Sequence, residues 1–138
     1  SKRTGPDLAR EGGLRPDSWH YQHMIRPKDI SNGSIMPAYP WLKENDIDYD
    51  MIEAKINAMI TLGVPYEKGF AKVAAKDAKE QALKIATNII NDLPDSYMKG
   101  IDKNSEIKKL QKKDIVALIA YLQRLGTDIK ADKKENSK

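Results

Sequence analysis

Lys112-Lys113-Asp114-Ile115-Val116-Ala117-Leu118-Ile119-Ala120-Tyr121-Leu122-Gln123-Arg124-Leu125-Gly126 decides the class of fold. Ile115, Leu118, Ile119, Leu122 and Leu125 recur at steps of three and four. That spacing lines them up on one side of a helix, and it predicts a helix over 112–125. Asp114 falls in the first turn and Arg124 in the last, each where the helix dipole favours its charge. Gly126 stands where a left-handed residue would end the helix.

Upstream, Asp95 to Gln111 reads as a loop, with Ile107 and Leu110 tucked inward. Before it, Phe70, Val73, Ala74, Ala78, Ala82, Ile85, Ile89 and Ile90 predict a helix over 66–91, closed by Pro94. Lys76, Glu80 and Lys84 alternate in charge at i, i+4 on its outer side, the pattern of a solvated face. A further stripe, Ile52, Ile56, Met59 and Ile60, predicts a helix that Asp48 or Asp50 would cap and Gly63-Val64-Pro65 would end. Residues 1–45 carry Gly5, Pro6, Gly12, Gly13, Pro16, Pro27, Gly33, Pro37 and Pro40 and read as irregular. One short helix is expected there, over Ser18 to Met24, capped by Asp17 and ended by Pro27. So long an irregular stretch in a small domain implies a ligand or a function that organises it. No alternating strand pattern of useful length occurs, so the class is all-α with long irregular loops.

Composition narrows the chemistry. The chain has 138 residues, 32% of them charged, and a mean hydropathy of -0.65. Its longest apolar run, Ile115 to Leu122, is far short of the roughly 18 residues that a spanning helix needs. There is no cysteine, which excludes disulfides, thiolate metal ligands, cysteine nucleophiles and a Cys-x-x-Cys-His haem attachment within these residues. A net charge of +4 is mildly basic, short of a dedicated nucleic-acid binder. No enzyme constellation is present. Asp17, Ser18 and His20 are neighbours in sequence, which is not how a nucleophile triad assembles. Asp46, Asp48 and Asp50 begin like a calcium loop but lack its later glycine and glutamate, so they read as an acidic capping stretch. His20 and His23 have a metal-compatible spacing on a helix but no third ligand, and read as structural.

One methionine is placed unlike the rest. Met36 sits in Ser34-Ile35-Met36-Pro37-Ala38-Tyr39-Pro40-Trp41-Leu42, a proline-rich loop and not an apolar helix stripe. A thioether is a soft neutral ligand suited to haem iron, and Pro37 stiffens the backbone next to it. The loop resembles the methionine-ligand loop of c-type cytochromes. Gly5-Pro6-Asp7-Leu8 resembles the turn that lies on their haem edge, and Tyr121-Leu122-Gln123-Arg124-Leu125-Gly126 resembles the end of their C-terminal helix.

These pieces follow one another in order: Gly5-Pro6-Asp7-Leu8-Ala9-Arg10, Trp19-His20, His23, Ile25-Arg26-Pro27, the Met36 loop, then Leu62-Gly63-Val64-Pro65-Tyr66. Together they resemble the mono-haem subunit (subunit II) of the cbb-type haem–copper cytochrome c oxidase, over residues 1–66 and again over 112–128. The resemblance implies a cytochrome c-like helical domain. Residues 1–128 would form its C-terminal part, about 67–111 would be a lineage insertion, and 129–138 a flexible charged tail. The haem-attachment helix, with its Cys-x-x-Cys-His, and a membrane anchor would lie upstream of Ser1.

It also implies haem c in the intact protein, with Met36 as distal iron ligand. The carbonyl of Pro6, after Gly5, would orient the axial histidine, and Leu8, Tyr39 and Trp41 would wall the pocket. These residues by themselves are expected to hold no haem and to catalyse nothing. In the intact complex the subunit would relay single electrons to the haem–copper catalytic subunit, beside a di-haem subunit, on the periplasmic side of the bacterial inner membrane. The rival reading is a haem-free basic helical module that docks on an acidic protein or nucleic acid through Lys108, Lys109, Lys112 and Lys113.

Overall fold

A computed structural model describes residues 7–127. Gly5, Pro6 and the tail 129–138 therefore lie outside the described residues. The described chain is all-α and cytochrome c-like: no strand occurs in it, and the one isolated bridge joins Asp46 to Lys113.

A 3₁₀ turn over Leu8–Arg10 leads into helix α1 (Asp17–Ile25) and the single turn α2 (Pro27–Ile30). The Met36 loop follows, then α3 (Trp41–Glu44), α4 (Ile52–Thr61) and the long α5 (Phe70–Asp92). Two short helices, α6 (Asp95–Met98) and α7 (Lys103–Leu110), precede α8 (Asp114–Arg124). Helix α5 is the hub, packed on by α1, α4, α7 and α8. Its alanines carry little side-chain entropy into the helix and let neighbouring backbones come close. Ile85, Ala86, Ile89 and Ile90 of α5 form one core with Ile115, Val116 and Ile119 of α8, closed by Tyr21, Leu93 and Leu110. Much of that core comes from the 67–111 stretch.

Helix α8 takes the form expected, but two residues shorter at its start. Lys112 closes a turn after α7 and Lys113 is held extended by residues 45–47: Ile47 N donates to Lys112 O (2.6 Å) and Asp114 N to Asn45 O (3.1 Å). That pairing outbids one more helical turn. Ile115 and Ile119 are wholly buried, so the apolar face of α8 is covered from within, by α5.

Asp95 to Gln111 is not a loop. Asp102 caps α7 by accepting from Ser105 N (2.8 Å), and Ile107 and Leu110 turn inward as expected. Eight residues give too few repeats for a periodicity to stand out. Asp17 is not a cap either. It opens α1 directly behind Pro16, and its carboxylate is buried against other helices. Helix α5 begins four residues later than expected, because Gly69 (φ 83°) breaks the chain direction before Phe70. The α4 stripe is only half used: Met59 and Ile60 remain exposed, since α5 covers α4 from one side.

Candidate haem-side loop and the polar cluster behind it

The Met36 loop is pinned at both ends. Ser34 N donates to Ser31 O (3.0 Å), with Gly33 at φ 76° turning the chain between them. Tyr39 N donates to Met24 O (2.9 Å), which ties the far end to the last turn of α1. Ser34 Oγ accepts from Met36 N (3.2 Å), and Leu42 packs on the main core. Between these anchors Met36 is half-buried, in the wall of an open depression of about 690 Å³. Lys28, Ile35, Pro37 and Ala38 share that wall. A stiff, twice-anchored loop that presents one thioether is what an axial ligand needs.

The rings of Tyr39 and Trp41 meet edge to face at 5.3 Å, with Trp41 half exposed. Leu8 is also exposed, in the first turn before α1. Gly5 and Pro6 are outside the described residues. Met36, Tyr39 and Trp41 thus stand on one short stretch of chain, and Leu8 belongs to the earlier 3₁₀ turn.

Neither histidine is a spare ligand. His23 stacks on Trp19 at 4.5 Å, and His20 is 2% exposed beside Glu11. Among the described residues no cluster of three His, Cys, Asp or Glu could hold a metal ion. The thioether of Met36 is a soft ligand of the kind that would fit one axial position of a haem, and Tyr39 and Trp41 would have to meet the ring from the same stretch of chain. The residues present do not supply a second axial ligand or thiols for covalent attachment.

Behind α1 lies a buried polar cluster that sequence patterns do not announce. Asp17 accepts from Asn88 Nδ2 of α5 (2.9 Å) and from Gln123 Nε2 of α8 (2.7 Å). One carboxylate thus joins three helices. Gln123 Nε2 also donates to Arg15 O (2.9 Å), and its Oε1 accepts from Gly13 N (3.0 Å). Gly12 N donates to Leu125 O (2.9 Å). A Cβ on Gly12 would collide with the carbonyls of Gln123 and Leu125, and one on Gly126 with the carbonyl of Ala9. Gly126 is therefore both a left-handed helix end (φ 73°) and a point where two backbones touch.

Contrary to expectation, no side chain of Asp46, Asp48 or Asp50 caps α4, whose N-cap position is held by Met51. Asp48 accepts from Met51 N (3.2 Å), and Asp46 pairs with Lys113 (2.8 Å). With Tyr49, Lys79 and Lys112 they line a cavity of about 390 Å³. Tyr49 donates to Gln111 O (2.7 Å) there, and burial raises its phenol pKa.

An all-α domain with a twice-anchored methionine loop, an edge-to-face aromatic pair after it and a last helix sealed by Gly126 is consistent with a cytochrome c-like domain. Residues 1–129 match the family described as "Cytochrome C oxidase, mono-heme subunit/FixO", and the chain belongs to that family. No curated protein matches the chain. Among the described residues no helix is long and apolar enough to cross a membrane.

Proposed function

We propose that this chain supplies the methionine side of the haem site in an electron-relaying subunit of a cbb-type oxidase. The observation that carries the reading is the Met36 loop, anchored by Ser31 and Met24 on either side of a single accessible thioether. Family membership supports a mono-haem oxidase subunit. In the intact protein Met36 would be the distal ligand, Tyr39 and Trp41 would edge the ring, and Gly5, Pro6 and Leu8 would lie on its other side. Haem c, when bound, supplies a one-electron redox centre; His/Met ligation places its potential in an electron-transfer range. The chain's own contribution is to hold the thioether still, so that little reorganisation accompanies a change of charge at the metal. The partners are the catalytic and di-haem subunits, with the domain on the periplasmic side of the bacterial inner membrane. The 67–111 stretch is an addition that this lineage has built into its core.

The test is substitution in the intact subunit. Met36→His should keep haem attached and lower the reduction potential, because the thioether favours the ferrous state more than imidazole does. Potentiometry on the purified protein reads this directly. An unchanged potential would remove Met36 from the ligand set.

A further inference from the structure

Four buried side-chain polar atoms among the described residues have no hydrogen-bond partner: Glu11 Oε2, Arg15 Nε, His20 Nε2 and His23 Nδ1. All four belong to one cluster, between the 7–15 turn and α1. Glu11 is 3% exposed and His20 2%. Glu11 Oε1 lies 3.9 Å from His20 Nε2 and 3.3 Å from Arg15 Nε. The Arg15 guanidinium sits over the Trp19 ring at 4.1 Å, and Trp19 in turn meets both histidines. A buried acid and base 3.9 Å apart, with Nε2 of the imidazole and Oε2 of the carboxylate unsatisfied, is costly for a fold whose buried polar groups are otherwise bonded. Such arrangements persist where a proton is to be held or released.

We infer that Glu11 and His20 form a proton-linked latch that fastens the 7–15 turn to α1 and α8. In the closed state the imidazole is walled off from solvent, and the turn is seated by Gly12 N on Leu125 O and Gly13 N on Gln123 Oε1. The groups facing His20 are Glu11 and Arg15 from the turn and Asp17 and His23 from its own helix. From the other helices packed here, α5 offers Asn88 and Asp92, and α8 offers Gln123. Burial outweighs the attraction of Glu11 and Asp17 and keeps the closed imidazole below the ordinary histidine value of 6.5. Opening the turn returns His20 to water, where it binds a proton at that ordinary value. Acid therefore favours the open turn. Leu8 is in this turn and Gly5-Pro6 immediately precede it, so the latch governs how firmly that side of the proposed haem pocket is held. The latch itself rests on residues 7–23 and their seat on α8, and stands or falls separately from the haem reading.

Hydrogen exchange on the full protein tests it, with protection factors corrected for intrinsic rates. Peptides covering 7–15 should lose protection as pH falls below about 6.5, by up to roughly tenfold per pH unit for one proton taken up. A core peptide over 85–93 should stay better protected than the turn at every pH. His20→Gln should flatten the response while the core peptide stays protected. Glu11→Gln should weaken protection of the turn at every pH. Flat protection of 7–15 from pH 7.5 to 5 in the unmodified protein would overturn the inference. So would an unchanged pH response in a folded His20→Gln.

Discussion

At the scale of single residues, two glycines with almost the same backbone angle make a controlled pair. Gly33 has φ 76° and open space where a Cβ would go, while Gly126 has φ 73° and the carbonyl of Ala9 in that place. A side chain in the left-handed region costs about 1–2 kcal/mol. Gly33→Ala should therefore lower stability by about that amount. Gly126→Ala should cost distinctly more, since it must also push the 7–15 turn off α8. Denaturant melts of the two variants decide it: equal losses would mean that the turn yields freely and that the close approach is unimportant. The sequence offered Gly126 as a helix end, which was correct. It could not show the second role, because close approach depends on a partner more than a hundred residues away. Met36 was legible for the opposite reason: its oddity was local, a methionine among prolines.

At the scale of helices, legibility followed length and periodicity. Helix α8 could be read from its own stripe, and so could most of α5. Helices α6 and α7 could not, since each is too short for a pattern to repeat. Nor could the sequence say which face of α5 would be busiest. The expected stripe included Val73, which is exposed, and omitted Ala71 and Ala86, which are buried. The reason is geometric: α5 is covered on several sides by α1, α4, α7 and α8, so a single stripe under-describes it. A comparison within α5 follows. Ile89 is wholly buried in the shared core, and Ile89→Ala should cost about 2–5 kcal/mol through lost burial and the cavity left behind. Val73 is 47% exposed, and Val73→Ala should stay within about 0.5 kcal/mol. Chemical denaturation of both measures the contrast. Near-equal effects would mean that α5 is not the hub of this fold. Because α5 and α8 share the core, the loss in Ile89→Ala should also appear as faster exchange in α8.

For the molecule as a whole, the polar cluster sets how stability responds to pH. Burial lowers the pKa of both His20 and His23 below 6.5, and in each case it outweighs the nearby Glu11. The folded protein then binds fewer protons than the unfolded chain in the window just below 6.5. Stability is full above that value and falls as pH drops through it, until the folded-state histidines themselves titrate. One such proton contributes a slope of roughly 1.4 kcal/mol per pH unit at most. His20, at 2% exposed, should contribute more of this slope than the more exposed His23. Thermal melts between pH 8 and pH 5 should show a plateau above about 6.5 and a decline below it. The decline should shrink in His20→Gln even where that variant melts lower overall. The residual slope then belongs to His23, which stacks on Trp19 and should lose its contribution in His23→Gln. A midpoint that stays constant from pH 8 to pH 5, or one that rises with acid, would mean that both imidazoles are as hydrated in the fold as out of it. That outcome would contradict the burial of His20 against Glu11, α5 and α8, from which the expected decline derives.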